Sequence, residues 1–148
     1  MKASAILFSL MAAFFYSFAS NATASDSIGI VKSMDGEVFL VGPHSTLSAA
    51  PNMKIRQGDT IKTGATSSAG LIFHDDTVVS LGPNSELAIE NFQFNPADRE
   101  LSFVSRLLKG TFCFITGQIA KLAPNKVKFE TPEATLGVRG TKFLVKID

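Results

Sequence analysis

From Ser25 onward period-two alternation of apolar residues is common, and no stretch sustains a 3.6-residue period. That spacing is the strongest constraint the sequence carries, because it fits strands and not helices. Val127, Phe129 and Thr131 share one face while Lys126, Lys128 and Glu130 share the other. Phe143, Val145 and Ile147 alternate in the same way with Lys142, Leu144 and Lys146. Strands of this kind have one buried face and one wet face. Two runs are apolar on both faces, Ala69-Gly70-Leu71-Ile72-Phe73 and Phe112 to Ile115. They read as central strands covered on both sides.

The strands are short and bounded by turn chemistry. Asp35-Gly36, Gly42-Pro43, Pro51-Asn52, Gln57-Gly58-Asp59, Thr63-Gly64, His74-Asp75-Asp76-Thr77, Gly82-Pro83-Asn84, Asn95-Pro96 and Ala123-Pro124-Asn125 all punctuate the alternation. This predicts about ten to twelve strands, in an all-β two-sheet sandwich or a flattened β-helix. Glycines six apart, at 58, 64 and 70 and at 36 and 42, suggest the β-helix. Against it, only Val41 among the residues preceding those glycines is a large aliphatic. The phase slips between Leu87, Ile89 and Phe92, Phe94, which predicts a bulge or corner near Glu90-Asn91 where the strand crosses between sheets.

Residues 1–24 read as a secretory signal peptide. Lys2 precedes an uncharged apolar stretch from Ala3 to Ser20, and Ala22-Thr23-Ala24 offers the small residues that a signal peptidase accepts. The stretch falls short of the ~20 residues of a spanning helix. The expected mature domain is therefore 25–148, periplasmic or secreted, with no transmembrane segment after cleavage. Fourteen Lys and Arg against thirteen Asp and Glu exclude a polyanion-coating nucleic-acid binder. One cysteine, Cys113, excludes an intrachain disulfide; within its apolar run it reads as a buried structural thiol.

Catalytic inventory is thin. Two histidines and the lack of a Gly-x-Ser-x-Gly, His-Glu-x-x-His or P-loop motif point away from an enzyme. His74, Asp75 and Asp76 are consecutive on one turn, so a polar hairpin tip is expected there, with no metal and no cofactor. Gly140 interrupts the alternation around Val138 and Phe143 and reads as a bulge with positive φ. Arg139 would then be re-aimed across the sheet onto Glu130, Glu133 or Asp59, a structural role. Charge is uneven: 25–108 holds six basic and ten acidic residues, 109–148 seven and three. If the last strands pair, Lys126, Lys128, Lys142 and Lys146 form a basic stripe suited to an anionic partner.

Several stretches, in order, are similar to the FecR domain family. Gly36-Glu37-Val38 resembles its opening strand, and Gln57 to Gly64 its turn, with Gly58, Asp59, Thr63 and Gly64 at the matching positions. Ser68 to Phe73 and Val78 to Leu87 resemble its central hairpin, although the family usually has glycine where Asp76 stands. Leu107-Leu108-Lys109-Gly110-Thr111 matches a strand opening built on Gly110. Phe129 to Phe143 resembles the signature T-P-x-A-x-x-x-V-R-G-T-x-F through Thr131, Pro132, Arg139, Gly140, Thr141 and Phe143. The resemblance spans roughly residues 30–147. It implies an all-β envelope module that binds or senses through protein–protein contact. In full-length regulators of the family such a module is linked across the membrane to an anti-sigma segment, which this chain does not show. The expected partner is an envelope protein; the alternative is a cell-wall glycan or other anionic polymer, with no nucleic acid.

The mature protein is expected to begin at Ser25. Intact-mass measurement of the protein from the envelope fraction checks this, and retention of Lys2 with its apolar run in the membrane fraction overturns it.

Overall fold

The structure is a computed structural model that describes residues 26–148. The expected signal peptide, 1–24, lies outside the described residues. Twelve strands follow one another: β1 Ser27–Asp35, β2 Val38–Val41, β3 Thr46–Ser48, β4 Lys54–Arg56, β5 Thr60–Thr63, β6 Ser68–Phe73, β7 Val78–Leu81, β8 Glu86–Asn95, β9 Glu100–Ile115, β10 Val127–Glu130, β11 Thr135–Gly137 and β12 Lys142–Ile147. One short helix, α1 Gln118–Leu122, separates β9 from β10. The all-β class is as the alternation predicts.

All twelve strands belong to one curled, half-barrel sheet. Half I runs β4-β1-β6-β7-β9-β12 and half II runs β3-β2-β5-β8-β9-β10-β11. The halves share β9 and face each other across an aromatic core. Phe73 of half I meets Phe92 of half II at 5.7 Å between ring centroids, and Phe114 meets Phe129 at 4.1 Å. Phe103 links the two groups, 5.0 Å from Phe73 and 6.0 Å from Phe129. The sandwich alternative is thus realised in continuous form, whereas the β-helix is not. Every pairing is antiparallel except β9 with β10, and a solenoid needs parallel coils stacked in register.

β9 is the spine. On one edge it pairs with β8 along its first part and with β7 along its last. The turn Gly82–Ser85 joins β7 to β8 along this edge, Gly82 N–H donating to Thr111 O at 2.9 Å. On the opposite edge β10 covers Phe103–Arg106 and β12 covers Gly110–Ile115. The strand passes from one half to the other at Gly110, whose φ is +104°. A side chain there would run into Ser85, whose Oγ accepts the Thr111 N–H at 3.1 Å.

The phase slip in β8 is a bulge, with a register shift between Ile89 and Asn91. It keeps Leu87, Ile89 and Phe92 all in the core. The strand itself stays in half II; the crossing belongs to β9. The doubly apolar runs are also corrected. Ala69, Leu71, Phe73, Phe112 and Phe114 are buried, but Ile72 and Cys113 are half-buried and Ile115 is 44% exposed. No described element covers their outer face, so Cys113 is not a core thiol.

The turn between β6 and β7 is more than a polar tip. Asp76 takes a left-handed φ of +68°, the conformation glycine would supply, and its carboxylate accepts the Gln118 side-chain amide at 2.8 Å. Asp75 is fully buried. Its carboxylate accepts the Thr77 N–H at 3.1 Å, the Thr77 hydroxyl at 2.7 Å and the Ile119 N–H of α1 at 3.3 Å. Asp75 therefore ties the hairpin to the helix. Each buried donor stranded by its removal costs roughly 1–3 kcal/mol. Asp75→Ala is expected to lose about 3 kcal/mol or more in urea unfolding, with Asp75→Asn losing less; an Ala variant as stable as the parent would contradict this anchoring role.

Candidate binding surface

The residues matching the family signature fall into two structural groups. The first forms a hydrogen-bonded belt around β5, with Gly58 and Asp59 at the strand's start, bonded to Ile89, and Thr63 and Gly64 at its end, beside the β9 crossing. Gly58 has a φ of +89° and opens β5 after β4. Asp59 is buried and accepts the Arg56 N–H at 2.8 Å. Thr63, also buried, donates its hydroxyl to Gly82 O at 2.6 Å and accepts the Ser85 N–H at 2.9 Å. Gly64 donates its N–H to Glu37 O at 2.9 Å and its carbonyl accepts the Asn84 N–H at 3.0 Å. Gly110 completes the belt against Ser85.

The second group lies on the last three strands. Thr131 closes the β10–β11 hairpin: its N–H donates to Ala134 O at 2.7 Å, and its hydroxyl accepts the Ala134 N–H at 3.0 Å. Pro132 and Glu133 are the exposed tip. Phe143 packs its ring on Phe114 and Phe129, 5.2 and 5.3 Å away. Thr116 at the end of β9 donates its N–H to Thr141 O at 2.8 Å, and its hydroxyl lies 3.2 Å from Gly140 O. The carbonyls of Gly140 and Thr141 thereby seat the start of β12.

Arg139 does not reach across the sheet. It is exposed, and among the described residues it makes no ion pair with Glu130, Glu133 or Asp59. Glu130 faces Arg106 instead, at 3.6 Å, and Arg106 also holds Glu90 at 2.8 Å. Gly140 has a φ of +99° with open space where a side chain would be, so its requirement is conformational and not steric. The four lysines do not form one stripe, because β10 and β12 each pair with β9 and not with each other. Lys128 points outward from half II. Lys142 and Lys146 point outward from half I, and Lys146 sits 3.6 Å from the Asp148 carboxylate. Lys126 lies in the 3-10 turn before β10.

Sequence reasoning missed the place where this segment leaves the sheet open. On the outer edge of β9 pairing with β10 stops at Arg106 and pairing with β12 starts at Gly110. Leu107, Leu108 and Lys109 have no strand beside them there among the described residues. Two open grooves flank the hairpin tip at that point. One, of about 660 Å³, runs past Arg106, Glu130 and Thr135; the other, of about 450 Å³, runs past Leu136, Val145 and Ile147. Leu108, Thr131, Pro132 and Glu133 line both. The available signal was the half-buried alternation of Leu136, Val138, Phe143, Val145 and Ile147, an apolar face only partly covered. Among the described residues no three His, Cys, Asp or Glu side chains gather as metal ligands; His74 and Asp76 are exposed while Asp75 points into the fold.

The family model described as FecR protein matches residues 59–148, starting at Asp59 and so leaving β1 to β4 outside the match. No curated protein and no solved structure matches the chain.

Exposed substitutions away from special backbone usually change stability by less than about 0.5 kcal/mol. Arg139→Ala is therefore expected to melt within a degree or two of the parent. Gly140→Val forces a branched residue into positive φ and is expected to cost about 1–3 kcal/mol. Thermal unfolding of both variants checks the pair, and a large loss in Arg139→Ala would restore a structural role for that side chain.

Proposed function

Since the chain belongs to the FecR family, we propose that it is a sensing and binding module of the envelope that acts without catalysis and engages a protein partner at its signature hairpin. Membership supports a periplasmic sensor or signalling module, and no helix among the described residues is long and apolar enough to cross a membrane. The observation that carries the reading is the pair of grooves meeting at Leu108, both lined by Thr131 and Pro132 of the family signature.

The chemistry of this surface suits an extended peptide segment. Among the described residues β11 pairs only with β10, so its other edge offers unused backbone donors and acceptors. A strand added there gains main-chain hydrogen bonds, while its side chains meet a groove in which Leu136, Val145 and Ile147 lie among Thr131, Glu133, Lys146 and Asp148. Glu133 at the tip and Arg106 on the groove floor add charges of both signs, which set register more than affinity. A polyanion would find the four lysines divided between opposite faces.

Photo-crosslinking in the native envelope, from a reactive residue placed at Glu133, tests this. The expected result is one discrete protein adduct, absent when the reactive residue is at Asn91 in half II and lost when Leu136→Lys is added. Equal adducts from both positions, or none from Glu133, would sink the proposal. An adduct that survives exhaustive proteolysis would assign the partner to an envelope polymer.

A further inference from the structure

The outer face of half I carries an apolar ridge set in register across six strands. Lys54, Ile30, Ile72, Val78, Ile115 and Lys142 are successive partners from β4 to β12. A second row, Ser33, Gly70, Ser80, Cys113 and Leu144, lies two residues along β6, β7, β9 and β12 and three along β1, where a bulge at Val31/Ser33 adds one. The second row is small for most of its length and forms a trough of about 280 Å³ over Ser33, Gly70 and Ser80. Leu144, at its end, is 70% exposed. The outer face of half II differs: it carries the ion pairs of Lys62 with Glu86 and of Arg106 with Glu90 and Glu130. Half II also exposes Phe39 beside Lys62, but there the apolar residue stands among charges; the contiguous aliphatic row of half I marks an interaction surface.

We propose that this face receives a second copy of the chain. Ridge and trough lie about 6.8 Å apart along the strands. A two-fold axis between them, in the plane of the interface and perpendicular to the strands, lays each ridge into the partner's trough. Ile72 then covers Gly70, Val78 covers Ser80 and Ile115 covers Cys113, with the same contacts repeated in reverse, as an isologous interface requires. The same operation lays Lys142 along Leu144, stem on the apolar side chain and ammonium in water. It keeps the two Lys142 groups about 12 Å apart, given sheets stacked about 10 Å apart, which is beyond the screening length of about 8 Å in physiological salt. The other two-fold, parallel to the strands, sets Lys54 over Lys142 and is disfavoured by their like charge. The six strands differ in length, with three residues in β4, four in β7 and nine in β1; at about 3.3 Å per residue and about 4.8 Å between strands they offer roughly 500 Å² per copy. The total of roughly 1,000 Å² sits at the lower limit for a specific interface, so the pair is weak and concentration-dependent.

This face is separate from the hairpin grooves, so the two readings stand or fall independently. The test is sedimentation equilibrium of the purified protein over a wide concentration range, with Ser80→Leu and Ile115→Lys beside the parent. Both positions face solvent, and a thermal melt of each variant checks that it folds. The parent is expected to move from one to two copies as concentration rises. Both variants should weaken that association at least tenfold. Ser80→Leu is the sharper of the two, because it makes the face more apolar while filling the trough. A parent that stays monomeric overturns the proposal, as does a Ser80→Leu variant that associates more tightly. Binding of the monomeric parent to phosphatidylglycerol vesicles, lost in Ile115→Lys, would assign the face to lipid instead.

Discussion

The fold depends on one strand serving two packed layers. β9 is sixteen residues long and supplies core side chains to both halves, Phe103 and Leu107 on one side of Gly110 and Phe112 and Phe114 on the other. A strand cannot do this with unbroken alternation, because its buried face must turn from one layer to the other. Gly110 absorbs the change at a φ of +104°, and Ser85 occupies the space that any other side chain would need. Thr63, Gly64 and Ser85 bond the neighbouring turns to this crossing. The Thr63-Gly64, Gly82–Ser85 and Gly110-Thr111 motifs, which look like separate turns in the sequence, thus converge on one point, where the Thr63 and Ser85 hydroxyls satisfy backbone groups of the turn and of Thr111.

What was legible in the sequence was local. The alternation of Val127 with Phe129 and of Phe143 with Val145 and Ile147 gave the strands and their inward faces, since a period of two needs no knowledge of the partner. The slip between Ile89 and Phe92 gave the bulge, because a change of phase is also written along one strand. What failed was non-local. The lysine stripe required β10 and β12 to be neighbours, and both turned out to be neighbours of β9. The expected arginine clamp required a carboxylate across the sheet, and Arg106 holds Glu130 in its stead. Asp75 was read as a tip residue although Asp-x-Thr is a known arrangement for a side chain accepting the N–H two residues on. Its burial depends on α1 closing over it, forty-four positions later in the chain.

The runs that are apolar on both faces show where a useful rule meets its limit. Ile72 and Ile115 imply a second covering layer, and the chain provides none among its described elements. In a small all-β fold with a single curled sheet, the outer face has nothing of its own to pack against. Apolar residues there either carry an avoidable solubility cost or mark a surface completed by another molecule. In half II the outer positions carry Lys62, Glu86, Arg106 and Glu130 around a single exposed Phe39, and this contrast favours the second explanation. The same chain can plainly place charge on an outer face.

The two surfaces also have a geometric relation. The two-fold that fits ridge to trough preserves strand order, so β12 of one copy lies over β12 of the other. The grooves beside β12 and the hairpin tips at Pro132 are thereby brought to the same side of the pair. A partner with two copies of its own docking segment would then meet both grooves at once, and the second contact would form at an effective concentration set by the spacing of the sites rather than by bulk. The weak pairing expected of roughly 1,000 Å² of buried surface suits that arrangement. If both proposals hold, a bivalent partner would strengthen the weak pair and so couple partner occupancy to self-association.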